Sequence, residues 1–313
     1  MRVLPVALTA FAAEVGDEGP VAVEGGRTDW LVGGEPAPGT RLVRAPAGVL
    51  RVEPAEMTVS VLAGTRVADL QAALAEVGQC VNLGDPAEGA TVGGVVAVGR
   101  SGLRRLGWGP LRDTVLQVRV VSAEGLPVTG GGPTVKNVTG FDLPRLLVGS
   151  LGTLGLLGEV LFRTRPLPQA ERWLAGPADP HQLRAALFRP TSLLWDGTTT
   201  WVLLSGYGAD VDAEGEVARR FGLVDVAGPP PRPPHRQSLP PGALARLGAV
   251  DGAFVAEVGV GVVHRAMPVP PPSPGAEVVE LHRRIKAVFD PRGRLNPGRD
   301  PLAAAGAPVH AEA

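Results

Sequence analysis

The sequence predicts an α+β fold: a two-lobed N-terminal domain, a reduced α/β cap, and a C-terminal helix that returns to the first domain. Three observations carry this. In residues 135–159, VKNVTGFDLPRLLVGSLGTLGLLGE, a polar loop runs into an apolar segment where Gly149, Gly152 and Gly155 recur every third residue. Glycine permits close backbone approach, so the pattern suits a turn that meets a ligand and then enters a buried strand, with Glu159 and Arg163 following as the strand leaves the core. Two more glycine clusters lie upstream: Gly25-Gly26-Arg27-Thr28 after the strand-like Val21-Ala22-Val23, and Thr91-Val92-Gly93-Gly94 after Asp85-Pro86. Three separated loops imply one extended ligand.

The elements follow in order. Residues 1–13 have the single Arg, apolar run and small residues of a short signal peptide. The stronger reading is an amphipathic helix with Leu8, Phe11, Ala12 and Val15 on one face, leading into the strand at Val21. A small lobe, residues 1–54, ends near Val52-Glu53-Pro54, and a larger lobe covers 55–167. There residues 57–61 alternate as a strand, and residues 66–76 form a helix with Val67, Leu70, Leu74 and Val77 on one side, which Gly78 stops. Residues 114–122 and 126–128 read as strands joined by a hairpin-like turn at Ala123-Glu124-Gly125. Residues 168–264 form the cap, with paired strands at 193–195 and 201–204, a helix at 213–221, and a proline-rich connector at 227–241. The runs at 229–234 and 268–274 read as semi-rigid surface loops. Residues 265–300 close the chain with a helix at about 277–289. Residues 301–313 are weakly charged and lack periodicity, the composition of a disordered tail.

Composition narrows the function. Among 313 residues, 30 Lys and Arg against 31 Asp and Glu give a net charge of -1, which provides no field for a nucleic acid. The single cysteine, Cys80, excludes an internal disulfide framework and an iron-sulfur cluster held by this chain alone; it reads as a small buried hydrophobe. No run approaches the ~20 apolar residues of a membrane span, so direct membrane insertion is not expected.

Together, the loops of residues 1–167 resemble the FAD-binding domain of the vanillyl-alcohol oxidase and p-cresol methylhydroxylase (PCMH-type) flavoprotein family, and are most similar to the E subunit of bacterial glycolate oxidase. Lys286-Ala287-Val288-Phe289-Asp290-Pro291 followed by Leu295-Asn296-Pro297-Gly298 resembles the closing segment of FAD-linked oxidases in that family. Two distant matches in the right order reinforce each other, whereas one Gly-Gly-x-Thr alone marks no more than a tight turn.

FAD brings two phosphate charges, which backbone N–H groups of glycine loops neutralise without burying two cations. Residues 24–28, Glu24, Gly25, Gly26, Arg27 and Thr28, suit that task, with the Thr28 hydroxyl as a phosphate donor and Arg27 either a contact or solvated. The resemblance continues the cradle through Pro86, Thr91, Gly93, Gly94 and Gly99, then Ser101, Gly102, Leu103 and Arg104, and sets Gly155 and Leu157 against the adenosine. Lys136 is the candidate cation near the flavin or a phosphate; a positive charge there stabilises the anionic reduced flavin and raises its potential. The competing reading leaves Lys136 in solvent and Asp142 capping a turn. The glycine loops hold no His or Cys, so noncovalent FAD is expected.

On the substrate side, His264 follows the strand-like residues 255–263 and is the candidate catalytic base, with Glu257 on the same stretch. The cap is short, and no local cluster of His, Arg and Tyr suited to a hydroxy-acid carboxylate is visible in it. The resemblance therefore implies the small flavin subunit of a complex oxidising a 2-hydroxy acid such as glycolate, with a homologous larger flavin subunit and an iron-sulfur subunit as partners. The implied location is cytoplasmic, with membrane contact only through those partners. A noncatalytic assembly or electron-relay subunit keeping the fold is the alternative. A flavin-dependent cell-wall precursor reductase shares the flavin domain, but the ending at residues 289–298 opposes it.

Overall fold

The computed structural model describes residues 6–133, 142–247, 253–270 and 273–303. Helix α1 (Val6–Val15) buries Leu8, Phe11, Ala12 and Val15, the face its periodicity predicts. Strands β1 (Val21–Val23) and β2 (Arg41–Val43) pair in parallel, and Leu295 bridges to Val21 on the other side of β1. Strands β3 (Val49–Glu53) and β4 (Thr58–Leu62) pair antiparallel, so the segment assigned from sequence to the end of the first lobe joins the larger sheet.

Helix α2 (Val67–Ala75) buries Val67, Leu70 and Leu74. It ends before Val77, which is 41% exposed and not on the packed face that the spacing predicts. Gly78 takes φ 68°, a left-handed conformation that favours glycine, just past the helix. After β5 (Gln79–Cys80) come α3 (Val92–Val98), α4 (Arg105–Trp108), β6 (Val115–Val121), β7 (Pro127–Gly131), α5 (Leu143–Leu147) and β8 (Leu156–Arg163). The five-stranded sheet runs β3-β4-β8-β6-β7, with α2 and α3 packed on one face and α1 on the other.

Glu159 does not mark an exit from this core. It is 4% exposed and faces Arg119 across the β8–β6 ladder at 2.6 Å, while Ser60 Oγ donates to it at 2.5 Å. A carboxylate is kept there because a guanidinium and a hydroxyl meet it from both neighbouring strands. The turn before β8 uses Gly149 at φ 82° and Gly152 at φ 69°.

Strand β9 (Arg165–Pro166) pairs with β5 and leads into β10 (Ala170–Gly176), α6 (Pro180–Ala186), β11 (Ser192–Trp195), β12 (Thr200–Gly206), α7 (Gly208–Arg220), β13 (Val224–Val226), β14 (His235–Ser238), β15 (Phe254–Glu257) and β16 (Val262–Arg265). These build a seven-stranded sheet in the order β13-β10-β12-β11-β15-β16-β14, every pair antiparallel. The segment read as a proline-rich connector thus contributes an edge strand, a position that tolerates nearby prolines because only one side needs a partner. Helices α6 and α7 cover one face of this sheet. The other face meets the first domain, where Leu103 packs on Leu194 and Val255.

Helix α8 (Ala276–Phe289) returns to the first domain through its C-terminal end. Lys286 Nζ donates to the carbonyls of Thr153 and Leu295 at 2.7 and 3.1 Å. Beyond it, the Arg294 guanidinium donates to five backbone carbonyls, those of Val15, Gly16, Glu18, Gly19 and Ala123. No described helix is long and apolar enough to cross a membrane. Residues 304–313, read from sequence as most of a disordered tail, lie outside the described residues.

Candidate functional site

A cleft of about 260 Å³ opens between β1, the turn after β4 and the start of α3. Seven of its lining residues are glycine: Gly25, Gly26, Gly64, Gly89, Gly93, Gly94 and Gly152. For five of them, Gly25, Gly26, Gly64, Gly93 and Gly152, the lack of a side chain is a packing requirement. A Cβ on Gly26 would run into the Gly89 carbonyl, one on Gly25 would lie 2.5 Å from Thr91 Oγ1, and one on Gly93 would lie 2.9 Å from the Ala63 Cβ. The result is a wall made of backbone, with Leu156 and Leu157 as an apolar patch and Arg44 and Arg66 as cations at its edge. Thr91, read from sequence as loop, caps α3 by accepting the Gly94 N–H at 3.3 Å, so Gly93 and Gly94 form the first helical turn.

Glu24 also lines this cleft, but its carboxylate is already engaged by Arg27 Nε at 2.5 Å and Arg44 Nη2 at 3.0 Å. The hydrogen bond from Arg44, with that from Arg27, outweighs desolvation and holds the Glu24 carboxyl below its ordinary range. Arg27 sits at φ 58° and stacks over Trp30 at 4.8 Å, with Arg299 also 4.8 Å from that ring. Asn296 completes the cleft from the C-terminal segment, its Nδ2 donating to the Leu151 carbonyl at 2.6 Å. It lies in the closing motif noted in the sequence, which gave no reason to place it here.

A second hollow of about 100 Å³ adjoins the first and includes Arg27, Thr28 and Trp30. It shares Asp29 and Val98 with a third, of about 60 Å³, where the first domain meets the cap. Pro86, Ser101 and Gly102 line this third hollow from one side; Arg232, Arg236, Glu257 and His264 line it from the other.

Sheet register explains this convergence. Arg236 on β14 is opposite His264 on β16, and His264 is opposite Val255, two residues before Glu257 on β15. Strand residues two apart share a face, so the three side chains project together toward the first domain. His264, expected just past a strand, lies within one and is 2% exposed. Its Nε2 is 2.8 Å from Glu257 Oε1, and its Nδ1 is buried without a hydrogen-bond partner among the described residues. Arg100 lies 3.5 Å from Asp29, and Arg232 Nη1 donates to Asp85 at 3.1 Å. Burial pulls the Arg100 and Arg236 guanidinium groups below their ordinary range, opposed by Asp29 and Glu257 respectively.

The cap, expected to lack a cluster of His, Arg and Tyr suited to a carboxylate, contributes Arg232, Arg236 and His264 to this hollow, beside the carboxylates of Asp29, Asp85 and Glu257. Arg100 comes from the first domain, and Arg232 and Arg236 from the segment read as connector, so no local motif announced it. Four other residues expected as contacts are placed as follows. Leu103 packs against the cap, Arg104 pairs with Glu171 at 2.8 Å, Gly99 ends α3 at φ 70°, and Gly155 faces Val120 in the core. Lys136 lies outside the described residues. Asp142 caps α5 by accepting the Arg145 N–H at 3.2 Å. Cys80 is buried with its thiol pushed up by desolvation.

A family described as FAD binding domain matches residues 7–131, and one described as FAD linked oxidases, C-terminal domain, matches residues 243–299. The chain is 32% identical over 247 residues to glycolate oxidase subunit GlcE of Escherichia coli, covering 74% of this chain and 69% of that one. Shorter matches reach D-lactate dehydrogenase of Archaeoglobus fulgidus, 44% over 80 residues, and glycolate oxidase subunit GlcD of Bacillus subtilis, 42% over 84 residues. These cover 26% and 27% of this chain and 18% of each relative. Among solved structures, an alkyldihydroxyacetonephosphate synthase superposes with a TM-score of 0.67 at 16% identity, covering 93% of this chain and 73% of the other, and shares the fold.

Proposed function

This chain belongs to the FAD-linked oxidase family as an FAD-binding oxidoreductase, and we propose that it serves as the small flavin subunit of a complex that oxidises a 2-hydroxy acid. The observation that carries this is the run of three adjoining hollows, glycine-lined at one end and lined by Arg100, Arg236 and His264 at the other. The residues present fit FAD: the backbone wall at Gly25, Gly26, Gly93 and Gly94 suits the pyrophosphate, and Leu156 and Leu157 suit the adenosine. Bound FAD supplies the two-electron acceptor for the hydride that leaves the substrate α-carbon.

The chain supplies the rest. Arg100 and Arg236 hold the substrate carboxylate, two guanidinium forks matching one planar anion. His264 takes the hydroxyl proton. Leu103, Leu194 and Val255 exclude water beside them. The small third hollow favours a two- or three-carbon acid over a bulky one.

Similarity to GlcE and GlcD supports assembly with a homologous larger flavin subunit, and an iron-sulfur subunit is the natural electron outlet for a chain with one cysteine. The outer face of α8, with Val278, Leu281 and Val288 exposed, suits such a partner. The test is the visible absorption spectrum of the purified chain before and after anaerobic glycolate or D-lactate. Flavin bands that bleach support catalysis by this chain. Bands that persist until the larger flavin subunit is added assign the oxidation to the complex, and a colourless chain that cannot be reconstituted with FAD overturns the proposal.

A further inference from the structure

We propose that Glu257 is the positioning residue for His264: it fixes the imidazole tautomer so that Nδ1, not Nε2, is the proton-accepting atom of the ring. The inference rests on the substrate reading above and adds the identity of the atom and the residue that selects it.

The geometry leaves few alternatives. An ionised carboxylate can only accept a hydrogen bond, so the 2.8 Å contact with Glu257 requires Nε2 to carry the proton. A neutral imidazole carries one N–H, and Nδ1 is then a bare acceptor. The reverse tautomer would set the Nε2 lone pair against a carboxylate and leave a buried donor at Nδ1 with no acceptor. A doubly protonated ring would likewise leave a buried N–H at Nδ1 with no acceptor.

The charged groups facing this ring are Glu257 on β15, Arg236 on β14, Arg232 before it, and Arg100, Asp29 and Asp85 from the first domain. Asp29 and Asp85 are engaged by Arg100 and Arg232. Glu257 is therefore the carboxylate in direct contact with the ring. When the substrate hydroxyl gives its proton to Nδ1, the α-carbon releases a hydride with two electrons to oxidised FAD and the alcohol becomes a carbonyl. The imidazolium so formed is matched by the carboxylate already bonded to its other nitrogen, the arrangement that makes a neutral histidine an effective base.

The tautomer is read directly, without substrate, from ¹⁵N histidine shifts of the full chain, the His264 signals being assigned by their loss in His264→Asn. The expected result is an Nε2–H tautomer in the wild type, a mixed population in Glu257→Gln, and recovery in Glu257→Asp. In turnover, Glu257→Gln should lower kcat by at least about tenfold and move the low-pH limb of kcat/KM to lower pH, with Glu257→Asp restoring the limb. An Nδ1–H tautomer in the wild type, or a Gln variant with unchanged tautomer and limb, overturns the proposal. An Nε2–H tautomer in a chain or complex that oxidises no hydroxy acid leaves the positioning intact and overturns the substrate reading instead.

Discussion

Lys286 Nζ lies 2.5 Å from Asp290 Oδ2, one helical turn away, and the same carboxylate accepts the backbone N–H groups of Arg294 and Leu295. Asp290 is fully buried while Lys286 is 32% exposed, so the aspartate is the member whose removal leaves most unsatisfied. Asp290→Ala should destabilise the protein by about 3 kcal/mol, the scale for breaking a buried pair from one side. Urea denaturation measures it, and a change below about 1 kcal/mol would show that water replaces the carboxylate.

Gly26→Ala should reduce flavin content. Its Cβ meets the Gly89 carbonyl, backbone that cannot swing aside as a side chain would. Overpacking of this kind costs about 1–3 kcal/mol, and the displaced loop forms one wall of the glycine-lined cleft. Absorbance at the flavin bands per protein, beside a melting curve, separates loss of cofactor from loss of fold.

Arg236→Met should weaken substrate binding more than turnover. A charge-assisted hydrogen bond contributes about 1.5–3 kcal/mol, so KM for glycolate or D-lactate should rise about 10- to 100-fold. Steady-state kinetics of the active assembly checks the split between KM and kcat. An unchanged KM would remove Arg236 from the carboxylate site.

The Glu24 carboxyl is depressed in the folded state, mainly by the hydrogen bond from Arg44. A depressed carboxyl contributes stability that is present above its unfolded value, about 4.3, and is lost as pH falls through the lower folded value. Glu24→Gln lacks this contribution. The wild type should therefore be the more stable protein at pH 7, with the gap closing below about pH 4. Urea midpoints of both proteins at several pH values test this, and a gap that stays constant with pH would show that Glu24 acts through packing alone.

What was legible in the sequence was local. The buried face of α1, the β6–β7 hairpin and the span of α8 follow from periodicity and turn chemistry within a dozen residues or so. Val77 continued a pattern past the true end of α2, where it is left exposed. Strand β14 was hidden among prolines because an edge strand needs only one partner and carries a weak signal. The glycine loops were visible because close backbone approach admits few residues. The third hollow was not, since Arg100 and Arg236 sit 136 positions apart in the chain and meet only through the register of an antiparallel sheet and the docking of two domains. Glu159 was read as an exit from the core for the same reason: its partner Arg119 is 40 residues away on a neighbouring strand.

Residues 294–296 give β1 its second neighbour, and Arg294 reaches carbonyls 275 to 279 residues earlier in the chain. A ribosome delivers the N-terminal end first. Helix α1 and β1 therefore wait for most of translation before their closing contacts exist, and such long-range pairings form slowly. Asn296 belongs to the same late segment, so one wall of the glycine-lined cleft is missing until then. A chain truncated just before Arg294 would lack that wall.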